Sequence, residues 1–178
     1  MNPRDDNGNE TRGEPGGPPG TAPPGRTRRE GEVLVHGIVV HPPQARAELG
    51  LMRGMPLRIL IADDYVDAAE SLALLLSRSG IETQVAVEGE QALLRANGWR
   101  PHVCILDIEM PGLDGKEIAR RIRAQNWRER PLLIAVSGWT AAQDRMSALD
   151  AGFDHYLMKP VEPARLVRII QSYLDSFA

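Results

Sequence analysis

The sequence predicts an α/β protein, a parallel five-stranded sheet with helices on both faces, and three observations lead there. Short, wholly apolar runs stand at Leu57–Ala62, Val103–Leu106 and Leu132–Val136, the pattern of strands buried on both sides. Between them, apolar residues recur at helical spacing. Strand and helix patterns alternate five times within about 120 residues, which calls for right-handed crossovers and a doubly covered sheet.

Taken in order, Leu57–Ala62 (LRILIA) is the first strand, and Val66, Ala69, Leu72, Ala73 and Leu76 fall on one face of the first helix. Ile81, Thr83, Val85 and Val87 alternate with polar residues, as on an edge strand. A short helix fits Gln91–Asn97, and VCIL at Val103–Leu106 is the third strand. The next helix spans Lys116–Gln125, with Ile118 and Ile122 inward and Arg120, Arg121 and Arg123 solvated. LLIAV at Leu132–Val136 is the fourth strand and Tyr156–Met158 the fifth. Leu166, Ile169, Ile170, Tyr173, Leu174 and Phe177 form the apolar stripe of a closing helix.

The upstream chain differs in kind. Residues 1–30 hold six Pro and six Gly and almost no large apolar side chain, so disorder is expected. Residues 31–55 form an extension of open role. Val33–Val35 and Ile38–Val40 look strand-like around Gly37, and Ala45–Met52 fits a short helix. Residues 1–55 carry seven Arg and seven acids, so charge gives this segment no nucleic-acid role. Met52 and Met55 stand just before the first strand, and translation starting there is a reading that the N-terminal mass of natively expressed protein decides.

Composition excludes several classes of function. The 178 residues carry 21 Lys plus Arg against 24 Asp plus Glu, a net charge of -3, so nucleic acid would need a local basic patch. Cys104, the single cysteine, allows neither a disulfide framework nor a cysteine-rich zinc site; it reads as core. No apolar stretch reaches the roughly 18 residues of a membrane span and no leader pattern opens the chain, so a cytoplasmic location is expected. His102 and His155 read as rim residues, and Trp99 and Trp127 as loop residues over core edges. Only two lysines occur, Lys116 and Lys159, against 19 Arg.

In parallel α/β sheets, ligands bind beyond the carboxyl ends of the strands. Here those ends carry Asp63–Asp64, then Asp107 followed by Ile108–Gly112, then Ser137, then Lys159–Pro160. Each alone is as readily a turn, a cap or an ordinary loop. Together they place three carboxylates, an ammonium and a hydroxyl along one edge. Clustered carboxylates repel and call for a cation, and an all-oxygen donor set favours Mg²⁺ or Mn²⁺ over zinc. Asp64 and Asp107 are placed to ligate directly, Asp63 through water, and the backbone carbonyl of Glu109 completes the set. A divalent ion beside Lys159 and Ser137 suits a phosphoryl group, with Asp107 as the nucleophile that becomes an aspartyl phosphate.

These residues resemble the receiver domain of two-component response regulators: VCILDIEMPGLDG around Asp107, the Asp63–Asp64 pair, LLIAVSG ending in Ser137–Gly138, and DHYLMKP with Lys159–Pro160. The resemblance covers about residues 56–178. It implies the flavodoxin-like fold with strand order 2-1-3-4-5, Asp107 as phospho-acceptor and Asp63 and Asp64 as magnesium carboxylates. It further implies Ser137 as the switch hydroxyl, Lys159 as the phosphate-pairing lysine, Tyr156 as the aromatic switch residue and a cis bond before Pro160. Ser137–Gly138–Trp139 and FDHYLMKPVEPARL also resemble receivers attached to hybrid histidine kinases, which suggests a bacterial phosphorelay.

On this reading the protein is not an enzyme beyond self-directed phosphoryl transfer and autodephosphorylation. Its phosphoryl donor is a histidine kinase or histidine phosphotransfer protein. Phosphorylation draws Ser137 and the N–H of Gly138 inward, Tyr156 rotates after them, and Thr140–Ala178 is the output face. The chain ends at Ala178 with the closing helix, so output through a protein partner, or onward transfer, is expected, without nucleic acid or membrane. Oligomeric state stays open, a phosphorylation-dependent dimer included. Glu109 and Trp139 flank the path of attacking water and are expected to alter the autodephosphorylation rate. Two other readings stand beside this one, a phosphorylation-independent binding module and a magnesium-dependent phosphohydrolase. The latter is disfavoured because its nucleophile generally follows the first strand.

Overall fold

A computed structural model of the chain describes residues 33–35, 38–40 and 50–177. The expected disorder of residues 1–30 lies outside the described residues. The chain divides into two units, residues 1–42 and 43–178. In the first, Val33–Val35 and Ile38–Val40 pair antiparallel, Val33 opposite Val40, as their apolar β-branched composition predicts.

The second unit is built on five parallel strands: β1 (Arg58–Ala62), β2 (Glu82–Ala86), β3 (Val103–Asp107), β4 (Leu132–Ser137) and β5 (His155–Met158). Their order is β2-β1-β3-β4-β5. Helices α1 (Val66–Ser77), α2 (Gly89–Trp99), α3 (Gly115–Arg123), α4 (Ala142–Asp150) and α5 (Pro163–Asp175) follow the five strands in turn. Period-2 alternation divides the strand side chains between two cores. Leu60, Cys104, Leu106, Leu133 and Ala135 face α2, α3 and α4 with Ala92, Ile118, Ile122 and Ala148. Ile59, Ile61, Ile105, Ile134 and Val136 face α1 and α5 with Ala69, Leu76, Leu166 and Ile170. Strands β3 and β4 are buried throughout, as their unbroken apolar runs predict, while β2 is the half-exposed edge. No helix among the described residues is long and apolar enough to cross a membrane.

Four expectations are corrected. Leu51–Met52, read as the end of a short helix, pairs antiparallel with Met55–Pro56. Arg53 and Gly54 both take positive φ, 51° and 78°, the requirement of a tight two-residue hairpin loop, so the local turn overrides the helical pattern. The rest of that segment lies outside the described residues. Arg123 is not solvated: its guanidinium donates to the carbonyls of Gly152 and Pro131 and to Asp154, clamping α3 to the start of β4 and the turn before β5. His102 is buried; its Nδ1 accepts the backbone N–H of Arg58 at 3.0 Å and ties β3 to β1. Trp99 is the last residue of α2 and not in a loop.

The short hairpin belongs to the domain. Met52 is buried with Leu57, Ile59 and Ile81. The N–H of Leu57 donates to the carbonyl of Gly50, and a side chain at position 50 would collide with the backbone of Ser79 and Gly80. Arg53 pairs with Glu129 at 2.9 Å and lies 5.1 Å over the ring of Phe177.

Candidate functional site: a carboxylate cluster with a lysine

Parallel register brings the ends of β1, β3, β4 and β5 to one edge. Asp63 follows β1 directly, its N–H donating to the carbonyl of Ala86 at 3.1 Å, while its Oδ1 accepts the N–H of Tyr65 at 2.9 Å. Asp107 closes β3 and is only 2% exposed. The chain then turns sharply: the N–H of Ile108 donates to the carbonyl of Val136, and that of Gly115 to the carbonyl of Ile108. A Cβ at position 115 would overlap the carbonyl oxygen of Asp107, so glycine there lets α3 start against the acidic loop. Asp114 caps that helix by accepting the N–H of Glu117 at 2.7 Å.

Carboxylate oxygens of Asp63, Asp64 and Asp107 lie within 4.8 Å of one another. Lys159 enters from the end of β5, its N–H fixed to the carbonyl of Ser137 at 2.8 Å. Its Nζ stands 2.6 Å from Asp107 Oδ2 and 3.0 Å from Asp63 Oδ2. Partial burial opposes the ammonium charge, but hydrogen bonds and attraction from Asp107 and Asp63 outweigh that and hold it above the usual lysine value. The Lys159–Pro160 peptide is cis. The three carboxylates exceed the single lysine by two negative charges, and their oxygen donors fit a hard divalent cation such as Mg²⁺.

The loop after β4 completes the edge. Ser137 is fully buried and its Oγ accepts the N–H of Trp139 at 3.0 Å. The hydroxyl of Tyr156 donates to the carbonyl of Trp139 at 2.7 Å, while its ring packs on the α2–α4 core. Sequence reasoning gave Glu109 a backbone carbonyl for the metal and a side chain beside the path of water, and missed the partner of that side chain: Oε2 accepts the N–H of Gly138 at 3.2 Å, while the N–H of Glu109 donates to Asp107 Oδ1 at 3.0 Å. The signal was a carboxylate two residues past the acidic strand end, facing a glycine whose Cβ would stand only 3.3 Å from it. Lys116 was also missed. Its Nζ donates to Ser147 Oγ at 3.1 Å and lies 5.7 Å over the Trp139 ring, joining α3, α4 and this loop.

An acidic cluster with a lysine at the carboxyl edge of a 2-1-3-4-5 sheet marks the class of receiver-type signalling domains. The response regulator receiver domain family matches residues 59–171, and the chain belongs to that family, the receivers of two-component signal transduction. Among curated relatives, the transcriptional regulatory protein PrrA of Mycobacterium leprae is 38% identical over 117 residues, 66% of this chain and 49% of that protein. An uncharacterized 14.6 kDa protein of Leptolyngbya boryana is 34% identical over 67% of this chain and 91% of its own length. The DNA-binding response regulator MtrA of Mycobacterium bovis is 33% identical over 69% of this chain and 53% of that protein. The chain thus spans about half the length of PrrA and MtrA. Among solved structures, the receiver domain of Francisella response regulator 1452 superposes with a TM-score of 0.63 at 28% identity, covering 68% of this chain and 99% of that one. A CheY-like receiver domain protein of Methanospirillum hungatei gives 0.61 at 30% identity, covering 67% and 94%.

Proposed function

We propose that Asp107 accepts a phosphoryl group from a phosphohistidine of a kinase or phosphotransfer protein, and that the loop 137–139 reports its arrival. The observation that carries this reading is the buried carboxylate of Asp107, held between Lys159 Nζ and the Glu109 N–H and pointed toward the edge where Asp63 and Asp64 gather. A carboxylate oxygen attacks phosphorus in line, the O–P bond forms as the N–P bond breaks, and the imidazole leaves with a proton. Asp63, Asp64, Asp107 and the Glu109 carbonyl would hold Mg²⁺ (or Mn²⁺), which supplies charge neutralisation at the phosphoryl oxygens. Lys159 adds a fixed positive partner beside Asp107 Oδ2.

Ser137 and Gly138 supply the readout. In the unphosphorylated loop, Ser137 Oγ serves Trp139 and the Gly138 N–H serves Glu109. A phosphoryl group on Asp107 competes with Glu109 for the Gly138 N–H and accepts the Ser137 O–H, and the Trp139 carbonyl that holds the Tyr156 hydroxyl moves with them. The face from Thr140 onward, with α4, β5 and α5, then carries the output to a protein partner. For the donor, a cavity of about 610 Å³ opens beside the site between Tyr65, Ala68, Leu72 and Leu75 of the α1 side and Pro160 and Val161. Exposed Tyr65 and Leu75 give it an apolar rim suited to packing a helix of the donor.

Intact-mass analysis after incubation with acetyl phosphate and Mg²⁺ tests the chemistry. A single phosphoryl adduct is expected, absent without metal and absent in Asp107→Asn. No adduct on the unaltered protein, together with no response to beryllofluoride by NMR, overturns the assignment in favour of a phosphorylation-independent binding module.

A further inference from the structure

The opposite edge of the sheet carries a second cavity, of about 450 Å³, that phosphoryl chemistry does not use. It opens where β1, β3 and β4 begin, so one strand length, roughly 16 Å for five residues, separates it from Asp107. Arg58, Arg100, Arg128 and Arg130 line it against the single carboxylate of Glu129, a surplus of three positive charges in the lining, offset in part by Asp154, which lies outside the cavity 3.7 Å from Arg130. The Glu129 carboxylate already has a partner outside the cavity in Arg53, at 2.9 Å. Crowding guanidinium groups around a concave surface costs free energy unless an anion joins them.

A second observation is independent of charge. Trp127 and Arg58 both line the cavity, and the indole Nε1 and the guanidinium Nε are buried with no acceptor among the described residues. Both are donor-only atoms closed off behind the cavity wall, so an acceptor entering the cavity reaches them as the wall side chains shift aside. The ring of Trp127 is meanwhile fixed between the guanidinium of Arg100, 4.4 Å from its centroid, and the core beneath, so the Nε1–H is held in place. His102, also lining the cavity, uses Nδ1 as acceptor for Arg58 N–H, which puts the proton of the neutral ring on Nε2, and burial with the neighbouring Arg58 charge holds its pKa below the usual value.

We propose that this cavity binds a small polyanion bearing phosphate groups, of the pyrophosphate or nucleoside diphosphate type. Planar guanidinium forks match phosphate oxygens in pairs, and a surplus of three charges suits a di- or trianion better than a monocarboxylate. No glycine loop is needed, because side-chain donors do the work that backbone N–H groups do at helix termini. A concave site with buried donors favours a small ligand over the phosphate backbone of DNA, which needs an exposed track.

Full-length protein labelled with ¹⁵N, free of Mg²⁺, is titrated with inorganic pyrophosphate and separately with ADP, following the indole N–H resonances. The Trp127 resonance is expected to move and saturate with either probe while that of Trp139, beside the phosphoryl site, stays. Tighter binding of ADP than of pyrophosphate assigns the nucleoside part a contact; equal binding assigns the phosphates alone, and both support the proposal. Arg128 and Arg130 are exposed, so Arg128→Ala/Arg130→Ala retains the fold; by calorimetry it binds pyrophosphate about a hundredfold more weakly, roughly tenfold per guanidinium. Trp127→Phe, which keeps the ring and loses the donor, weakens it about tenfold. An unmoved Trp127 resonance through millimolar concentrations, or unchanged affinity in the double variant, overturns the proposal. So does a duplex oligonucleotide that binds this edge when pyrophosphate and ADP do not.

Discussion

Replacing Lys159 with methionine isolates the electrostatic logic of the phosphoryl site. The ammonium faces Asp107 Oδ2 at 2.6 Å and Asp63 Oδ2 at 3.0 Å, and Asp107 is 2% exposed. Removing one partner from a fully buried ion pair costs about 3–5 kcal/mol. A third of the Lys159 side chain is exposed, so solvent screens part of the interaction and about 2 kcal/mol is expected. For a domain of this size that is roughly 6–10 °C in Tm. Mg²⁺ should reverse the order of effects. With lysine present it meets a cluster of net charge -2, and without it one of -3, and it also escapes repulsion from the ammonium. Its affinity for Lys159→Met should therefore be about tenfold tighter, and at saturation the metal stabilises the variant more than the unaltered protein. Thermal denaturation of both proteins in EDTA and across a Mg²⁺ series measures both quantities. Equal Tm values in EDTA, or an equal upward shift with Mg²⁺, would refute the idea that Lys159 neutralises this cluster in the metal-free state. Because Lys159 is held above its usual pKa of 10.5, the stability it adds is complete below that pH and is lost only as pH rises through the raised value.

Glu109→Asn and Trp139→Ala alter the two groups that brace Gly138–Trp139; phosphoryl half-lives followed by loss of the mass adduct should differ from the unaltered protein by about tenfold or less, and identical half-lives in all three remove these residues from the hydrolytic path. His102 accepts a backbone N–H and is held below its usual pKa of 6.5, chiefly by burial, so the unfolded chain takes up the proton first. Denaturant midpoints should accordingly fall as pH drops from 6.5 through the lowered native value, and His102→Asn should flatten that slope; a parallel slope in the variant assigns it elsewhere. Met52→Ala should cost about 2–4 kcal/mol by urea denaturation, since Met52 fills the core beside Leu57 and Ile81, whereas an unchanged midpoint would make the hairpin an ornament.

The three central strands of the sheet were legible because each is an apolar run too short for a helix and bounded by charged or turn residues, and the edge strand β2 because its apolar residues alternate with polar ones. The site was legible because its members stand at strand ends, and parallel topology turns positions far apart in sequence into neighbours. What escaped was decided by partners distant along the chain. Arg123 reads as one of three helix-surface arginines until the carbonyls of Pro131 and Gly152 are seen beside it. His102 has no local pattern to distinguish a rim residue from a buried acceptor. The 51–56 hairpin depends on positive φ at Arg53, a conformation no arginine advertises. Glu109 was noticed for its position, yet its contact with Gly138 exists only once β3 and β4 lie side by side.

In the contact of Arg53 with Phe177, side chains of the first and last turns of the described domain meet, guanidinium 5.1 Å from ring centroid. A folded unit whose ends meet is a closed circuit of chain, indifferent to where the covalent break falls. Joining residue 177 back to residue 50 through a few flexible residues and opening the chain in the exposed turn at 124–126 should preserve both cores, with every strand still in register. The same adjacency makes the domain a cassette: a host polypeptide can receive it in a surface loop without having its own ends forced apart, and the phosphoryl site, at the far edge of the sheet from the new cut, would be left undisturbed.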